Sequence, residues 1–321
     1  MTMDLLARIE RREEWGRVAS EKAQAAGDGF LWRTADKSQG GRGLPAREAT
    51  TPRPVPGRDE HRDGVLYVRL TLRAGELAQQ AEPGQFVMVK ADDGLDPFLR
   101  RPLSFHRINQ ERGEVQILFQ VKGRGTGLLA RRLPGDALQL LGPLGRGFTL
   151  EQRMFPENGA GTQRQRVVLV GGGIGVAPLL ALAEKAARGG DEVLLLLGAR
   201  SRDDLLAVSD FRALGAQVHL ATDDGSLGHH GLITDLLDQV LREDAADAIY
   251  ACGPLPMLKK VAQLADQFGR PAQLSLEERM GCGLGACIGC VVGTKGPGGQ
   301  PTYKKVCQDG PVFPAQEVIL P

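Results

Sequence analysis

The chain has 321 residues, 42% hydrophobic and 25% charged, with a formal net charge of +1 at pH 7. This length leaves room for two or three domains, and the near-neutral charge lacks the electrostatic footprint that nucleic acid or an anionic membrane surface would require. No apolar run approaches the roughly 18 residues that cross a bilayer, and an N-terminus carrying Asp4, Glu10, Glu13 and Glu14 without an apolar segment fits neither a secretory signal nor a transit peptide.

Residues 1–62 read as an extension. A charged helix is expected over 3–24, followed by "SQGGRGLPAREATTPRPVPGRDEHRDG", whose Gly, Pro and Arg have little to bury. Such a stretch is expected to be a disordered linker, with a partner-binding arm as the alternative. From residue 64 short β-rich runs follow: 65–72, 85–91, 102–108, 114–121 and 136–145, with turn residues between them. In "VQILFQV", Val115, Ile117, Phe119 and Val121 alternate with Gln116, Leu118 and Gln120, the period of a half-buried strand. Strands at this spacing predict a small antiparallel barrel over 63–160.

From residue 166 the pattern becomes alternating strands and helices. "RVVLV", "EVLLLLGAR", "AQVHLATDD" and "AIYACGP" read as strands, and "LLALAEKAARGG", "LITDLLDQVLRE" and "MLKKVAQLADQFG" as helices. That alternation predicts a doubly wound parallel α/β domain over 161–270. Gly171, Gly172, Gly173 and Gly175 lie between its first strand and first helix. Glycine lets backbone approach a pyrophosphate, and a helix N-terminus offers free N–H groups to it. A tight structural turn would use the same residues. Cys252, Gly253 and Pro254 end a later strand, where open α/β sheets bind ligands; Cys252 could equally be a small buried filler. Asp223 and Asp224 end another strand, where a carboxylate accepts a ribose 2′-OH and repels a 2′-phosphate, favouring NAD. Arg200 and Arg202 argue the other way.

Two stretches of the barrel carry phosphate chemistry. "LRRPLSF" (99–105) opens a strand with an arginine fork, and "KGRGTG" (122–127) offers backbone and hydroxyl donors. A solvated rim arginine is the alternative. Taken in order, R-P-x-S, G-T, GGGxGxAP and C-G-P resemble the ferredoxin–NADP reductase superfamily. The resemblance implies a flavin on the barrel and a nicotinamide nucleotide on the sheet. It implies that Arg101, Pro102, Leu103 and Ser104 lie along FAD, and that Leu118, Phe119 and Gln120 border it. Gly125 and Thr126 would hold its pyrophosphate, and Cys252 would stand near the nicotinamide as a catalytic candidate.

Five cysteines are present, an odd number, and four of them gather near the C-terminus as C-x4-C-x2-C-x16-C: Cys282, Cys287, Cys290 and Cys307. A disulfide framework would spread an even set along a short secreted chain, so a cytoplasmic metal or redox site is expected. Structural zinc is usually held by two short knuckles, whereas three cysteines in one glycine-rich loop and one apart is the plant-type [2Fe–2S] layout. Zinc stays as the rival.

"LSLEERMGCGLGACIGCVV" and "VCQDGPVFPAQEV", with "PGQFVMV", "LRRPLSF" and "GPLGRGF", resemble the electron-transfer subunit of NAD-linked (class IB) dihydroorotate dehydrogenase. Residues 1–62 depart from that family. The resemblance implies an antiparallel flavin-binding β-barrel, a doubly wound α/β NAD-binding domain and a C-terminal [2Fe–2S] segment over 271–321. It implies FAD, [2Fe–2S] and NAD as cofactors, and an FMN-containing dihydroorotate dehydrogenase catalytic subunit as partner, in a two-plus-two heterotetramer. The rival within this chemistry is a flavin and iron–sulfur subunit of a hydrogenase or of a ferredoxin:NADP transhydrogenase.

Overall fold

The computed structural model describes residues 3–16, 65–150 and 164–321. Six strands close an antiparallel barrel: β1 (Met3–Gly16), β2 (Leu66–Arg73), β3 (Phe86–Val89), β4 (Arg101–Asn109), β5 (Glu114–Gln120) and β6 (Ala137–Leu144), in the order β1-β2-β5-β4-β3-β6. Two short helices, α1 (Gly75–Gln80) and α2 (Arg124–Ala130), lie in the connections.

The first strand corrects two expectations. Residues 3–16 are neither a charged helix nor part of a disordered extension, because β1 pairs with both β2 and β6 and closes the barrel. The physical reason lies in its cross-strand partners. Ala7 and Ile9 are buried in the barrel core, while Leu6 and Arg8 between and beside them are exposed, a period of two. The charges that suggested a helix are matched across the ladder: Glu13 stands opposite Arg69 and takes its guanidinium, and Glu10 pairs with Arg73. Tertiary pairing overrides local helix propensity here. The remainder of the expected linker, 17–62, lies outside the described residues.

A third expectation also changes. Val115 through Phe119 are all buried, so β5 is covered on both faces. Val115, Ile117 and Phe119 belong to the barrel core, while Leu118 packs with Trp15, Tyr67 and Phe148 against the second domain. Gln116, on that outer face, donates from Nε2 to Thr71 Oγ1 at 3.2 Å. The alternation marked two different environments, both of them dry.

The second domain is a seven-stranded sheet whose first six strands are β7 (Arg166–Gly172), β8 (Glu192–Ala199), β9 (Gln217–Thr222), β10 (His229–His230), β11 (Ala248–Cys252) and β12 (Ala272–Ser275), with helices α3 (Leu179–Arg188), α4 (Val208–Ala213), α5 (Ile233–Arg242) and α6 (Leu255–Gln267). These strands run parallel. Residues of α3 and α4 pack in one core cluster and those of α5 and α6 in another, as a doubly wound sheet requires. The C-terminal segment adds the antiparallel pair β13 (Val291–Lys295) and β14 (Pro301–Lys305), then β15 (Val312–Pro314), which joins β12 antiparallel at the sheet edge. A boundary at 270/271 therefore does not separate two packing units, since β12 and β15 complete the sheet. Among the described residues, no helix is long and apolar enough to cross a membrane.

Barrel and sheet meet through a buried polar seam. Arg69 Nη1 donates to Asp210 at 2.9 Å, Arg107 Nε to Glu184 at 2.5 Å and Tyr67 to Asp204 at 3.2 Å. His106, wholly buried, lies 2.9 Å through Nδ1 from the Ala177 carbonyl. A carbonyl can only accept, so Nδ1 carries the proton. Burial pushes the imidazole down to about 4, with Arg69 and Arg107 adding to the effect and the Ala177 carbonyl and Asp210 opposing it.

Between pH 4 and 6.5 the unfolded chain thus binds a proton that the folded chain refuses, so stability rises with pH across that window. The expected loss on going from pH 7 to pH 5 is roughly 2 kcal/mol from this residue. Urea unfolding at the two pH values checks it. His106→Asn, which keeps a donor near the Nδ1 position and removes the titrating ring, is expected to flatten the slope.

Candidate functional site

Three groups of residues converge where barrel, sheet and C-terminal segment meet. On the barrel, Arg101, Pro102, Leu103 and Ser104 form the first half of β4, opposite Val89, Met88, Val87 and Phe86. Those four partners are buried, yet Arg101 to Ser104 are all half-exposed, leaving a strip of strand open to a ligand. The Arg101 guanidinium lies against Gly125: a Cβ on Gly125 would fall 2.3 Å from Arg101 Nε. Arginine and the first turn of α2 thereby share one spot, which suits a diphosphate. Thr126 shapes that turn, because its hydroxyl accepts from the backbone N–H of Lys122 at 3.0 Å and of Gly123 at 3.2 Å. Leu118 and Phe119 are enclosed within protein, and only Gln120 of that trio has a partly exposed side chain. The strip and the arginine–glycine seat fit a flavin dinucleotide.

On the sheet, the glycine turn does more than clear space for a ligand. A Cβ on Gly175 would stand 2.3 Å from the Cys252 carbonyl oxygen, and one on Gly172 would stand 2.6 Å from Pro254 Cδ. The two turns, Gly171–Gly175 and Cys252–Pro254, are packed backbone to backbone. Gly173 is required for another reason: it has φ +54° with open space around it. The Cys252 side chain is buried between neighbours Gly171 and Ser275, and burial, helped by Glu277, pushes its thiol well above the ordinary range. A thiol so buried is a poor nucleophile; it packs behind the turn whose next two residues face the cleft. Gly253 and Pro254, by contrast, line a 660 Å³ cleft together with Gly172, Gly175, Lys122 and Glu277. Lys122 comes from the barrel and Glu277 from the stretch before the cysteines, and both fell inside quoted motifs without a role of their own. Their signal was adjacency to "GRGTG" and "MGCGLGAC".

At the far end of the sheet, Asp223 follows β9 and is exposed, its N–H donating to the Ala199 carbonyl at 3.0 Å. The Asp224 carboxylate is engaged by Ser226, whose N–H and hydroxyl hold it below the usual carboxylate range. Asp223 is therefore the better candidate for a ribose. Arg200 and Arg202 are exposed beside it.

The cysteine loop is wrapped by its own amides. Cys282 Sγ accepts from Leu284 N at 3.3 Å and Cys287 N at 3.4 Å, and Cys307 Sγ accepts from Gly285 N at 3.2 Å. The N–H of Cys287, above all, holds the Cys282 thiol down to about 6. Burial, and then Cys290 beside it, push Cys307 up to about 12. Cys287 thus lies beside Cys282, while Cys307 feels Cys290 first and Cys282 after it. Among the described residues no three His, Cys, Asp or Glu gather around one point. Four cysteines in one loop and the turn beside it, with amides aimed at sulfur, fit a dinuclear iron–sulfur centre.

The loop also touches the barrel. A Cβ on Gly283 would lie 2.6 Å from Met88 Cγ, and Met88 stands opposite Pro102. Cys290 and Cys307 share one core cluster with Phe86, Met88 and Leu144. The cysteine site is therefore packed on the wall that carries the open strip of β4.

Residues 277–319 match the iron–sulfur cluster binding domain of dihydroorotate dehydrogenase B, and residues 169–263 match the oxidoreductase NAD-binding domain. The dihydroorotate dehydrogenase B (NAD(+)), electron transfer subunit, of Geobacillus thermodenitrificans is 47% identical over 252 residues, covering 78% of this chain and 92% of that protein. The subunit of the same name from Bacillus caldolyticus is 46% identical over the same length. Among solved structures, an NADH-dependent reduced ferredoxin-NADP oxidoreductase aligns with a TM-score of 0.68 at 31% identity, covering 79% of this chain and 85% of that one. A ferredoxin NADP+ reductase from Neisseria gonorrhoeae with bound FAD and NADP shares the fold alone, with a TM-score of 0.51 at 20% identity over 63% of this chain and 85% of that one. With this identity over nearly the whole length of its relatives, and with both matched domains falling on the cysteine and glycine sites, the chain belongs to the family of electron transfer subunits of dihydroorotate dehydrogenase B (NAD+).

Proposed function

We propose that this chain carries electrons from a partner dehydrogenase to NAD+, using [2Fe–2S], FAD and NAD as its cofactors. The observation that carries the reading is the packing of the cysteine loop on Leu144 of β6 and on Met88 of β3, the strand that pairs with β4. When bound, the cluster passes single electrons, the flavin exchanges one or two, and the nicotinamide accepts a hydride. The chain's own residues order these groups. Cys282, Cys287, Cys290 and Cys307 would ligate the cluster. Arg101, Gly125 and the α2 turn would hold the flavin diphosphate, with Pro102, Leu103, Ser104 and Gln120 along the rest of FAD. Gly172, Gly175, Gly253 and Pro254 would shape the nicotinamide cleft, and Asp223 would select the ribose.

An electron transfer subunit works with a catalytic subunit. We read that partner as the FMN-containing dihydroorotate dehydrogenase of pyrimidine biosynthesis, in a two-plus-two heterotetramer. Support comes from Leu284 and Ile288, 51% and 79% exposed on either side of Cys287, an apolar surface next to the cluster ligands. Four cluster thiols need a reducing compartment, which supports a cytoplasmic location.

The test is a coupled assay. The isolated holo chain is expected to pass electrons from NADH to dyes and to leave dihydroorotate untouched. Adding the FMN subunit is expected to create dihydroorotate-dependent NAD+ reduction. NADP+ is expected to serve at least about tenfold less well, since one pairing lost at a 2′ position is worth that much. Equal use of NADP+ would transfer the ribose end to Arg200 or Arg202. Coupling to reduced ferredoxin with no response to the FMN subunit would favour the transhydrogenase reading, to which the 31% identical structure points.

A further inference from the structure

We propose that Lys305 sets the reduction potential of the iron–sulfur centre, its ammonium stabilising the reduced cluster through the cysteine loop. Lys305 ends β14, two residues before Cys307. Its Nζ donates to the Gly285 carbonyl at 2.6 Å, and the N–H of that same glycine donates to Cys307 Sγ at 3.2 Å. One residue's width therefore separates the positive charge from a ligand sulfur, which places them within roughly 10 Å of each other. The turn carrying Cys307 is itself built on Lys305: its carbonyl accepts from Gln308 N at 3.1 Å and Asp309 N at 2.8 Å. A Cβ on Gly285 would meet Gln308 Oε1 at 2.3 Å, so the loop and this turn are locked together.

The surrounding charges leave Lys305 in a distinct position. Its neighbour Lys304 is neutralised by Glu317. Lys305 instead spends its ammonium on a carbonyl, while the nearby Asp309 carboxylate accepts from the Lys305 backbone N–H at 2.8 Å. The side chain is half-buried, where salt screens less than at an open surface.

One-electron reduction adds one negative charge to a centre already held by four thiolates. No bond breaks and no proton moves; the electron arrives from the partner's flavin in turnover, or from dithionite in a titration. A unit charge at such a distance, in a medium of effective dielectric about 20, biases that step by roughly tenfold or more. The sign follows directly: a cation favours the reduced form and raises the potential.

The inference rests on the four cysteines being cluster ligands, so iron and sulfide are counted in every preparation. The experiment is an EPR-monitored redox titration of the holo chain in wild type, K305M, K305Q and K305R. K305Q keeps a donor without charge, and K305R keeps the charge. In both uncharged variants, at the wild-type midpoint, the reduced-to-oxidised ratio is expected to fall to about one-tenth, a shift of about 59 mV downward for a one-electron couple. K305R is expected to hold within about a twofold ratio. The FAD potential, read optically, is expected to stay in place, because the flavin belongs to the barrel.

An unchanged midpoint in K305M and K305Q with full iron would overturn the proposal. So would a shift in K305M alone, which would assign the effect to the hydrogen bond. Loss of the cluster from both uncharged variants would overturn it as well, leaving Lys305 as a staple of the loop. Iron and sulfide absent from the wild type would overturn the cluster reading, and this inference with it.

Discussion

Cys282→Ser is expected to empty the iron–sulfur site while leaving one FAD on the chain. Cys282 is the cysteine with the most amide support, two N–H groups on one sulfur. A thiolate stabilised in this way is ready to bind metal at neutral pH. Serine offers a hydroxyl that stays protonated, so one iron loses a ligand. The residues proposed to hold the flavin lie on β4 and α2, in a barrel whose six strands close without help from the cysteine loop. Iron and labile sulfide should therefore drop while flavin absorbance persists. Dihydroorotate-dependent NAD+ reduction in the complex should fall by at least about a hundredfold, as for a metal site that has lost a ligand or its support. Dye reduction by NADH should hold within about twofold, because that route does not cross the cluster. The contrast is the measurement that matters, since misfolding would lower both. A variant that keeps full coupled activity would take the cluster off the electron path.

Gly175→Val is expected to be the most damaging change on the nucleotide side. The added Cβ would stand 2.3 Å from the Cys252 carbonyl oxygen and 2.6 Å from Gly253 Cα. Both are backbone atoms at the end of a central strand, so no side chain can swing away. Overpacking of this kind costs about 3 kcal/mol or more. It would also part the two turns that form the cleft, so flavin reduction by NADH in stopped flow should slow far more than stability alone explains. Gly173→Ala gives the comparison. It has nothing within 4 Å and φ +54°, so it should cost only the left-handed backbone penalty, about 1 kcal/mol. Equal losses from the two variants, read by urea unfolding, would show that the turn tolerates separation and that the close approach is not what holds the cleft.

Much of the site was legible because its chemistry is written in residue type and spacing. C-x4-C-x2-C-x16-C needs no tertiary information to read as a set of metal ligands, and the alternation of strand and helix after residue 166 needs none to read as a parallel sheet. Strand β1 shows the limit. Its charges at 10–14 read as a solvated helix, and only their partners on β2, more than fifty residues on, show that Glu13 and Arg69 face each other across a barrel seam. Pairing between distant strands leaves a weak local signal, because a strand's preference is set by what packs against it.

The glycines make the same distinction at one site. That Gly171, Gly172, Gly173 and Gly175 mark a strand-to-helix turn was plain from composition. That Gly172 and Gly175 are there to admit the Cys252–Pro254 turn, while Gly173 is there for its backbone angle, is decided by neighbours eighty residues away. Cys252 likewise kept two readings open in the sequence, and what the structure adds is its burial beside Gly171 and Ser275, behind the turn. By itself the sequence determined which residue types are on offer: clustered thiols that a metal can use, an arginine and glycine that suit a diphosphate, glycine turns that suit a nucleotide. Only the tertiary structure decided that the three meet, with the cysteine loop on Met88 and the cleft between Lys122 and Gly253. The reason is physical: ligand identity is a local property of side chains, whereas the distance between ligands is a property of packing, which joins residues that the chain keeps far apart.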